Sequence, residues 1–387
     1  MPTTENHLEY SPRKHLRVYQ SLLSQIMSGQ YQPGQQFPTL DVLSNAFEVS
    51  RPTVVKAMDT LERKGLISRR RGGGVYVHEK VIPIKQVKPI GLLLPDQVVE
   101  ENVQTESVFK SMIPRLMTCA KECRSFLVIN SYTSNEQGIL QDVQYAFDNF
   151  AQQKVSGVIF HYCVEKDTDD LNQQVLQLLK NANKPVVLLD HDVVRYPQRS
   201  DFDIVSINNE RAGYVVTSHL IEAGATSICY VNIDFQIHSP VSSERFHGFQ
   251  NALLDRGLDP HLILTIPYSN PAEAREVLIR QIRAKNIDAI VCENDSIASQ
   301  CMYYLLGAGM RIPEDIRIVG FDNLSSSRML PVPLTTISQP IDQMASEAVS
   351  LIADRISNPQ RPAREIMLTE SLVVRQSSCA MQKPSDG

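Results

Sequence analysis

The chain has 387 residues, of which 42% are hydrophobic and 21% are charged, and its net charge at pH 7 is −5. This length exceeds what one ordinary hydrophobic core organises, so two or three domains are expected. No uncharged apolar run reaches the roughly 18 residues that a membrane helix needs, and the polar N-terminus lacks the apolar core of an export signal. We therefore expect a cytoplasmic protein without a membrane partner, whose seven cysteines stay reduced.

Basic charge is concentrated near the N-terminus. Residues 1–80 contain 11 Lys and Arg against 7 Asp and Glu, although the whole chain is acidic. A basic segment on an acidic body is the asymmetry expected when only that segment meets a polyanion such as nucleic acid.

Three helices are predicted in the first eighty residues. The first has an apolar stripe at three- and four-residue spacing, made of Leu16, Tyr19, Leu23 and Ile26. The second follows Thr39 and turns three apolar residues inward, namely Leu40, Leu43 and Phe47. The third begins after Ser50, a potential cap, and its inward face is Val54, Ala57, Met58 and Leu61. This order predicts a helix followed by a helix-turn-helix.

A glycine-tipped hairpin follows the third helix. Its two strands, Leu66–Arg69 and Val75–Val77, flank the sequence RRGGG at residues 70–74, so the segment is predicted to be a winged helix-turn-helix. In this fold the start of the third helix reaches base edges, and arginines beside the wing tip approach the DNA backbone or minor groove. The candidate DNA-contacting residues are Ser50, Arg51, Pro52, Thr53, Lys56, Arg69, Arg70, Arg71, Gly73 and Gly74. The alternative is a winged helix that makes protein contacts only.

This segment resembles the N-terminal domain of the GntR family over nearly its whole length. The resemblance rests on Ile26-x-x-Gly29-x-Tyr31-x-Pro33-Gly34, Val49-Ser50-Arg51-x-Thr53-Val54, Leu61-Glu62-x-x-Gly65-Leu66-Ile67 and Gly72-x-Gly74-x-Tyr76-Val77. It implies binding to double-stranded operator DNA, with Arg51 and Thr53 as the contacts carried over. Asp41 and Val55 stand where the family usually has Arg, so the operator sequence of relatives is not transferable.

Strand-like and helical patterns alternate over most of the remaining chain. The predicted strands are Ile90–Leu94, Phe126–Asn130, Gly157–Phe160, Val186–Leu189, Ile204–Ile207, Ser227–Val231, Leu262–Ile266, Ala289–Cys292 and Ile316–Phe321. The predicted helices are Ser107–Cys123, Ile139–Gln152, Leu171–Asn181, Arg211–Glu222, Glu244–Asp255, Ala272–Ala284 and Ile297–Leu306. Such alternation predicts doubly wound parallel sheets with helices on both faces, and nine strands suffice for two lobes.

The whole chain is thus expected to be an α/β protein with a small DNA-binding domain in front. We assign residues 1–78 to the winged helix-turn-helix, called the head below, and residues 79–89, which contain two prolines, to an extended linker. Residues 90–376, called the body, form a two-lobed effector-binding and dimerisation domain, and residues 377–387 form a flexible tail.

Polar residues follow the predicted strand ends, where doubly wound folds bind ligands. Carboxylate and amide groups with an Arg donor suit a neutral polyhydroxylated ligand, although any one Asp at such a place is as often a helix cap. The candidate effector-binding residues are Asp96, Phe109, Asp190, His191, Arg245, Asn294 and Asp322. The sequence contains no nucleophile elbow, phosphate-binding loop or metal-ligand cluster, so we expect no enzymatic activity, cofactor or metal.

The body resembles the LacI-family effector domain, which is related to periplasmic sugar-binding proteins, over about residues 88–375. The resemblance rests on Ser243-Glu244-Arg245-Phe246-x-Gly248-Phe249, Asn294-Asp295-x-Ile297-Ala298, Arg311-Ile312-Pro313-Glu314-Asp315-Ile316, Val319-Gly320-Phe321-Asp322-Asn323 and Leu334-Thr335-Thr336-Ile337-x-Gln339-Pro340. It implies a homodimer and places Asp190, Arg245, Asn294 and Asp322 at effector-contacting positions. No hinge helix of the LacI type follows the linker, and the combination of head and body resembles that of arabinose-type repressors.

These observations predict a one-component transcriptional regulator, a repressor of carbohydrate-utilisation genes that binds operator DNA and a small sugar. Two alternatives stay open: a regulator that responds to a purine or nucleoside, and a sugar-binding protein without a regulatory role. The identity of the effector, the operator sequence, the direction of control and the choice between dimer and tetramer do not follow from the sequence.

Overall fold

The computed structural model describes residues 14–27, 29–70, 74–79, 88–99, 107–163, 168–233, 239–267 and 270–379. The chain divides into two compact units, Met1–Lys88 and Pro89–Gly387. The first unit contains the head and the second contains the body. Residues 80–87 of the predicted linker lie outside the described residues.

Three helices and a hairpin form the head, as predicted. They are α1 (Lys14–Met27), α2 (Leu40–Phe47), α3 (Arg51–Arg63), β1 (Ile67–Arg70) and β2 (Gly74–Val77). The two strands pair antiparallel, with Ile67 opposite Val77. The side chain of Thr39 caps α2 by accepting a hydrogen bond from the Val42 N–H at 3.5 Å.

The head has its own hydrophobic core. Two of the four predicted stripe residues, Tyr19 and Ile26, are buried, and Leu22 takes the place expected for Leu23, which is only partly buried. Leu40, predicted to face inward, is instead exposed because it begins α2 directly after the cap, at the open end of the helix. The apolar period therefore located the helices correctly, although it selected Leu23 in place of Leu22 and turned the exposed Leu40 inward.

The first lobe of the body is a six-stranded sheet. Its strands are β3 (Ile90–Pro95), β4 (Leu127–Tyr132), β5 (Gly157–His161), β6 (Val186–Leu189), β7 (Asp203–Ile207) and β13 (Glu365–Leu368), in the order β13-β7-β6-β5-β3-β4. All of the pairings are parallel. The connecting helices are α4 (Asp96–Val99), α5 (Val108–Glu122), α6 (Ile139–Gln152) and α7 (Asp169–Asn181).

The second lobe repeats this architecture. Its strands are β8 (Ile228–Ile233), β9 (Ile263–Ile266), β10 (Ala289–Cys292), β11 (Arg317–Phe321), β12 (Thr335–Ser338) and β14 (Ser371–Val373), in the order β14-β12-β11-β10-β8-β9. All are parallel except β14, which pairs antiparallel with β12. The helices are α8 (Asn209–Glu222), α9 (Pro240–Leu254), α10 (Pro271–Ala284) and α11 (Asp295–Gly307). The two-lobed doubly wound architecture is thus confirmed.

The chain crosses between the lobes three times. The crossings lie between β7 and α8, between β12 and α12 (Ile341–Ser357), and between β13 and β14. Helix α12 contacts β5, β6 and β7, so it belongs to the first lobe. The described residues of the body form twelve strands, whereas the sequence pattern predicted nine. The three additional strands, β12, β13 and β14, are short and lie toward the sheet edges. The sequence pattern also did not predict α12.

The predicted tail begins too early. Ser377 and Ser378 are fully buried. The Ser377 hydroxyl donates to the Ile318 carbonyl at 2.6 Å and accepts from the Thr335 N–H at 2.8 Å. The boundary predicted at residue 376 is therefore wrong, because Ser377 is hydrogen-bonded to two strands of the second sheet. Residues 380–387 lie outside the described residues.

Helices α8 and α9 pack closely through two glycines. A Cβ added at Gly213 would overlap the carbonyl oxygen of Arg245, and one added at Gly248 would overlap the carbonyl oxygen of Glu210. Each helix thus presents a glycine to the backbone of the other. This contact determines how near α9, which carries Arg245, lies to the rest of the second lobe.

Candidate functional site

The exposed start of α3 carries most of the predicted base-reading residues. Arg51, Pro52 and Lys56 are exposed and Thr53 is half-buried. Ser50 occupies the cap position, but its hydroxyl pairs with the Thr53 hydroxyl at 2.9 Å and makes no cap hydrogen bond to the helix backbone. The Thr53 and Val54 N–H groups donate instead to the Ser50 carbonyl, at 2.9 and 3.3 Å.

Arg51 forms an ion pair with Asp41 of α2. Both side chains are well exposed, at 67% and 60%, so the pair contributes little to stability. Its effect is on position, because it holds the Arg51 guanidinium beside the start of α3. Asp41, which stands where the family usually has a DNA-contacting Arg, is therefore the ion-pair partner of Arg51.

The wing arginines also have acidic partners. Arg69 contacts Asp59 at 2.6 Å and Glu62 at 3.4 Å, while the Arg70 guanidinium lies 4.5 Å from the centre of the Tyr76 ring. Arg70 also reaches Glu79 at 3.3 Å. These exposed pairs are weak, so phosphates can replace the carboxylates.

Only part of the predicted wing tip is described. Gly74 has a φ of 91°, and an added Cβ would lie 2.9 Å from the Gln36 side chain, so this position requires glycine. Arg71 and Gly73, predicted to contact DNA, lie outside the described residues.

A cavity of about 540 Å³ opens between the two lobes of the body. Six of the seven predicted effector-binding residues line it: Phe109, Asp190, His191, Arg245, Asn294 and Asp322. Asp96 does not, because it begins α4 and its carboxylate accepts the Gln97 N–H at 2.8 Å. Among the lining residues that the sequence prediction omitted, the most informative are Gln97, His161, Glu293 and Gln339.

Asp190 is the acidic residue that the first lobe contributes. It follows β6, is only 7% exposed, and its Oδ1 has no hydrogen-bond partner among the described residues. Its φ of 77° is strained for a residue with a side chain. Such a conformation persists at a site where the side chain must be aimed, here into the cavity.

An aromatic pair forms another part of the same wall. The rings of Phe109 and His161 stack with their centres 3.6 Å apart, and Phe109 is both buried and cavity-lining. Burial lowers the pKa of His161 to about 4, which leaves the imidazole neutral at physiological pH. The Nδ1–H of His191 donates to the Asp192 carbonyl at 2.7 Å.

Arg245 is the central cation of the second lobe. Its guanidinium donates to Asn209 Oδ1 at 3.0 Å and to the Glu293 carbonyl at 2.9 Å. The guanidinium carbon lies 3.6 Å from the centre of the Phe321 ring, and one nitrogen lies 3.9 Å from Asp322. At 6% exposure this side chain is held on several sides.

Asn294 and Asp295 have different roles at the end of β10. Asn294 caps α11 by accepting the Ile297 N–H at 2.9 Å, and it also lines the cavity. Asp295 is buried and ties down the loop after β11, accepting the Leu324 N–H at 2.8 Å. Burial, with the charge of Asp322 nearby, raises the pKa of Asp295 to about 7.

Two further acceptors face the cavity from the second lobe. Asp322, with a φ of 105°, accepts from the Gln339 side-chain amide at 2.8 Å, and burial raises its pKa to about 6. Glu293 is 4% exposed and accepts from the Ser242 hydroxyl. Within the described part of the chain, Glu293 Oε2 and Gln339 Oε1 have no hydrogen-bond partner. Glu293 directly follows β10, so the strand-end rule that selected Asn294 points to it equally.

We expect the ligand-free protein to melt at a higher temperature at pH 6.5 than at pH 8. Burial raises the pKa of Glu293 and Asp295 to about 7, and stability gained by their neutral forms is lost as the pH rises through that value. The lowered pKa of His161 opposes this only weakly, because the unfolded imidazole is already half neutral at its ordinary value of 6.5. Charge-neutral Glu293→Gln should reduce the difference in melting temperature, while exposed Glu276→Gln should leave it unchanged. An unaltered difference in Glu293→Gln would contradict the assignment.

No helix within the described ranges is long and apolar enough to span a membrane. Nor do those ranges contain a group of three His, Cys, Asp or Glu side chains arranged to hold a metal ion.

Comparisons with known proteins match both parts of the chain. Residues 14–77 match the gntR family of bacterial regulatory proteins, and residues 217–378 match the periplasmic binding protein-like domain. The HTH-type transcriptional repressor PurR of Aliivibrio fischeri is 31% identical over 251 residues, which are 64% of this chain and 71% of that protein. The arabinose metabolism transcriptional repressor of Geobacillus stearothermophilus is 26% identical over 379 residues, 94% of this chain and 97% of that protein.

A solved structure also shares the fold of the body. It is a LacI family transcriptional regulator from Enterococcus faecium with bound ribose, which superposes with a TM-score of 0.60 at 22% identity. The superposition covers 76% of this chain and 100% of that one.

Proposed function

We propose that a small sugar is the effector of this chain, which belongs to the family of the bacterial transcriptional repressor PurR and carries a GntR-type head. In this proposal the head binds operator DNA, the sugar binds in the cavity between the lobes, and the genes controlled serve carbohydrate use. Two copies act as a homodimer in the cytoplasm, so that both heads engage the operator together. No catalytic step is part of the proposal.

The observation that carries this proposal is a set of buried acceptors without partners. Asp190 Oδ1, Glu293 Oε2 and Gln339 Oε1 belong to residues that line the cavity, and they have no hydrogen-bond partner among the described residues. A buried polar atom left unsatisfied is costly, so a ligand with several hydroxyl donors would stabilise the cavity. The related repressor of arabinose metabolism and the ribose-bound regulator support a sugar as that ligand.

Operator binding in the presence of candidate effectors tests the proposal. We would measure the gel-shift affinity of the full chain for its own upstream DNA with and without pentoses and hexoses. A coupling of about 1–3 kcal/mol corresponds to a change of roughly 5- to 150-fold in operator affinity. If no sugar changes the affinity, the proposed effector class is wrong.

A purine or nucleoside is the second candidate effector. The stacked Phe109 and His161 rings offer a flat surface in the cavity wall, and the body is similar to a repressor named PurR. Adenine, guanine, hypoxanthine and their nucleosides therefore belong in the same titration. A shift caused by these compounds and by no sugar would favour this candidate.

Replacing Arg51 by Ala should weaken operator binding by about 1–3 kcal/mol, the usual value of a base-reading arginine. Arg51 lies at the exposed start of α3, where an ion pair with Asp41 holds it. Arg63→Ala is the matched control, because Arg63 lies at the other end of the same helix and contacts the Asp59 carbonyl at 3.3 Å. Fluorescence anisotropy with operator and scrambled DNA measures both variants. Equal losses on both sequences would identify Arg51 as a phosphate contact instead.

A further inference from the structure

Three buried side-chain oxygens of the cavity wall have no hydrogen-bond partner among the described residues, and all three are acceptors. Asp190 Oδ1, Glu293 Oε2 and Gln339 Oε1 each belong to a side chain that is more than nine-tenths buried. They come from the end of β6 in the first lobe, the end of β10 in the second lobe, and the crossing between β12 and α12. A ligand that satisfies all three must therefore supply donors on at least two of its sides.

The charges around the cavity also favour a ligand that donates hydrogen bonds and carries no negative charge. Three carboxyl groups line it, those of Asp190, Glu293 and Asp322, and two of them are in the second lobe beside Arg245. Arg245 is the one Lys or Arg among the described lining residues. The described wall of the cavity therefore carries more carboxyl groups than cationic side chains.

Arg245 already has partners among the described residues. Arg245 donates to Asn209 and to the Glu293 carbonyl, lies against the Phe321 ring, and has Asp322 as its nearest carboxylate. An incoming phosphate would have to compete for these donors while it approached three carboxyl groups. An incoming hydroxyl would meet no such opposition, because it donates to the carboxylates.

We propose that the cavity selects uncharged polyhydroxylated molecules and rejects their phosphate esters, and that Glu293 is a principal determinant of this choice. The inference rests on the proposed function. It narrows the effector class to free sugars and excludes the phosphorylated forms made from them inside the cell. Glu293 accepts a ligand hydroxyl at Oε2 while the Ser242 hydroxyl holds Oε1. The same carboxylate repels a phosphate group.

The test is calorimetric titration of the full chain at pH 8 with matched pairs of ligands. The pairs are D-ribose with ribose 5-phosphate, D-glucose with glucose 6-phosphate, and L-arabinose with arabinose 5-phosphate. For the sugar that binds, we expect the phosphate ester to bind at least about 100-fold more weakly, as for a buried group facing like charge. The acetate ester at the same hydroxyl is the control for size. It should lose less affinity than the phosphate, and an equal loss would show that bulk, not charge, excludes phosphate.

Variants then assign the effect to Glu293. In Glu293→Gln, the amide still offers an acceptor oxygen but no charge, so the ratio of affinities for free and phosphorylated sugar should fall by about tenfold or more. Glu276→Gln, on the exposed side of α10, should keep the wild-type ratio. A Glu293→Gln protein that keeps the full ratio would overturn the role of Glu293.

The outcomes separate this inference from the proposed function. A phosphorylated sugar that binds the wild-type chain as tightly as its free form would reject the inference and leave a sugar-controlled repressor. Binding of no sugar, free or phosphorylated, would reject the proposed function and the inference together. The comparison between ligands uses the wild-type chain alone, so it stands even if a variant folds poorly.

Discussion

Replacing Gly248 by Ala is expected to destabilise the body by about 3 kcal/mol, near the upper end for overpacked sites. The new Cβ would overlap the Glu210 carbonyl oxygen and lie 2.7 Å from the Tyr214 nitrogen. Both are backbone atoms, so neither can rotate away, and α8 and α9 must separate. Because Arg245 lies one turn before Gly248 on α9, this separation should also displace the guanidinium from the cavity and weaken effector binding.

Thermal unfolding and effector titration measure the two parts of this prediction. Gly307→Ala is the matched control, because a Cβ there meets only the end of the Arg275 side chain, at 3.7 Å. Gly307 lies within α11, where alanine is the better helix former, so this variant should be as stable as the wild type or slightly more stable. A Gly248→Ala protein that unfolds with the wild-type midpoint would mean that the two helices are not in close contact.

Replacing Arg245 by Ala should abolish the response to effector. The change removes the donors to Asn209 and to the Glu293 carbonyl, and it leaves the half-buried Asp322 carboxylate without its nearest cation. Truncating one member of such a buried, hydrogen-bonded group costs about 2–5 kcal/mol of binding free energy. We therefore expect operator DNA to stay bound at effector concentrations that change the affinity of the wild-type chain.

Arg256→Ala provides the comparison for this variant. Arg256 follows the same helix, is 53% exposed in its side chain, and only approaches Glu222 at 4.0 Å, so its loss should change effector affinity very little. Gel shifts across an effector titration measure both variants, with circular dichroism to verify folding. A wild-type response in folded Arg245→Ala would exclude Arg245 from the effector site.

Most of the fold could be predicted from the sequence because its elements are locally encoded. The nine predicted strands are central or strongly apolar, and the order of the three head helices and the hairpin follows from period and turn residues alone. The C-terminal elements were missed for a physical reason. Strand β13 alternates between exposed and half-buried residues, and it forms only by pairing with β7, more than 150 positions earlier in the chain. No short window of sequence contains that partner.

The candidate site was predicted less completely, since strand-end position alone does not say which side chain turns inward. Asp96 and Glu293 each directly follow a strand, yet Asp96 begins its own short helix and accepts the Gln97 N–H, while Glu293 is buried against Ser242. The difference depends on α9, which brings Ser242 from a distant part of the chain. The ion pair of Asp41 in the head was missed for a similar reason. Asp41 and Arg51 lie on different helices, so the sequence indicated a missing arginine at position 41 but not the ion pair that Asp41 forms.

The three crossings between the lobes have a consequence for how this protein is made. The head needs only residues up to Val77, whereas the sheet of the first lobe waits for β13, which ends at Leu368. At ordinary rates of translation, roughly 5–20 residues per second, the ribosome takes roughly 15–60 s to synthesise the intervening chain. During that interval a nascent chain carries a finished DNA-binding head and no finished sensor. Effector control is therefore a property that each molecule acquires later than DNA binding, only after the ribosome has synthesised β13.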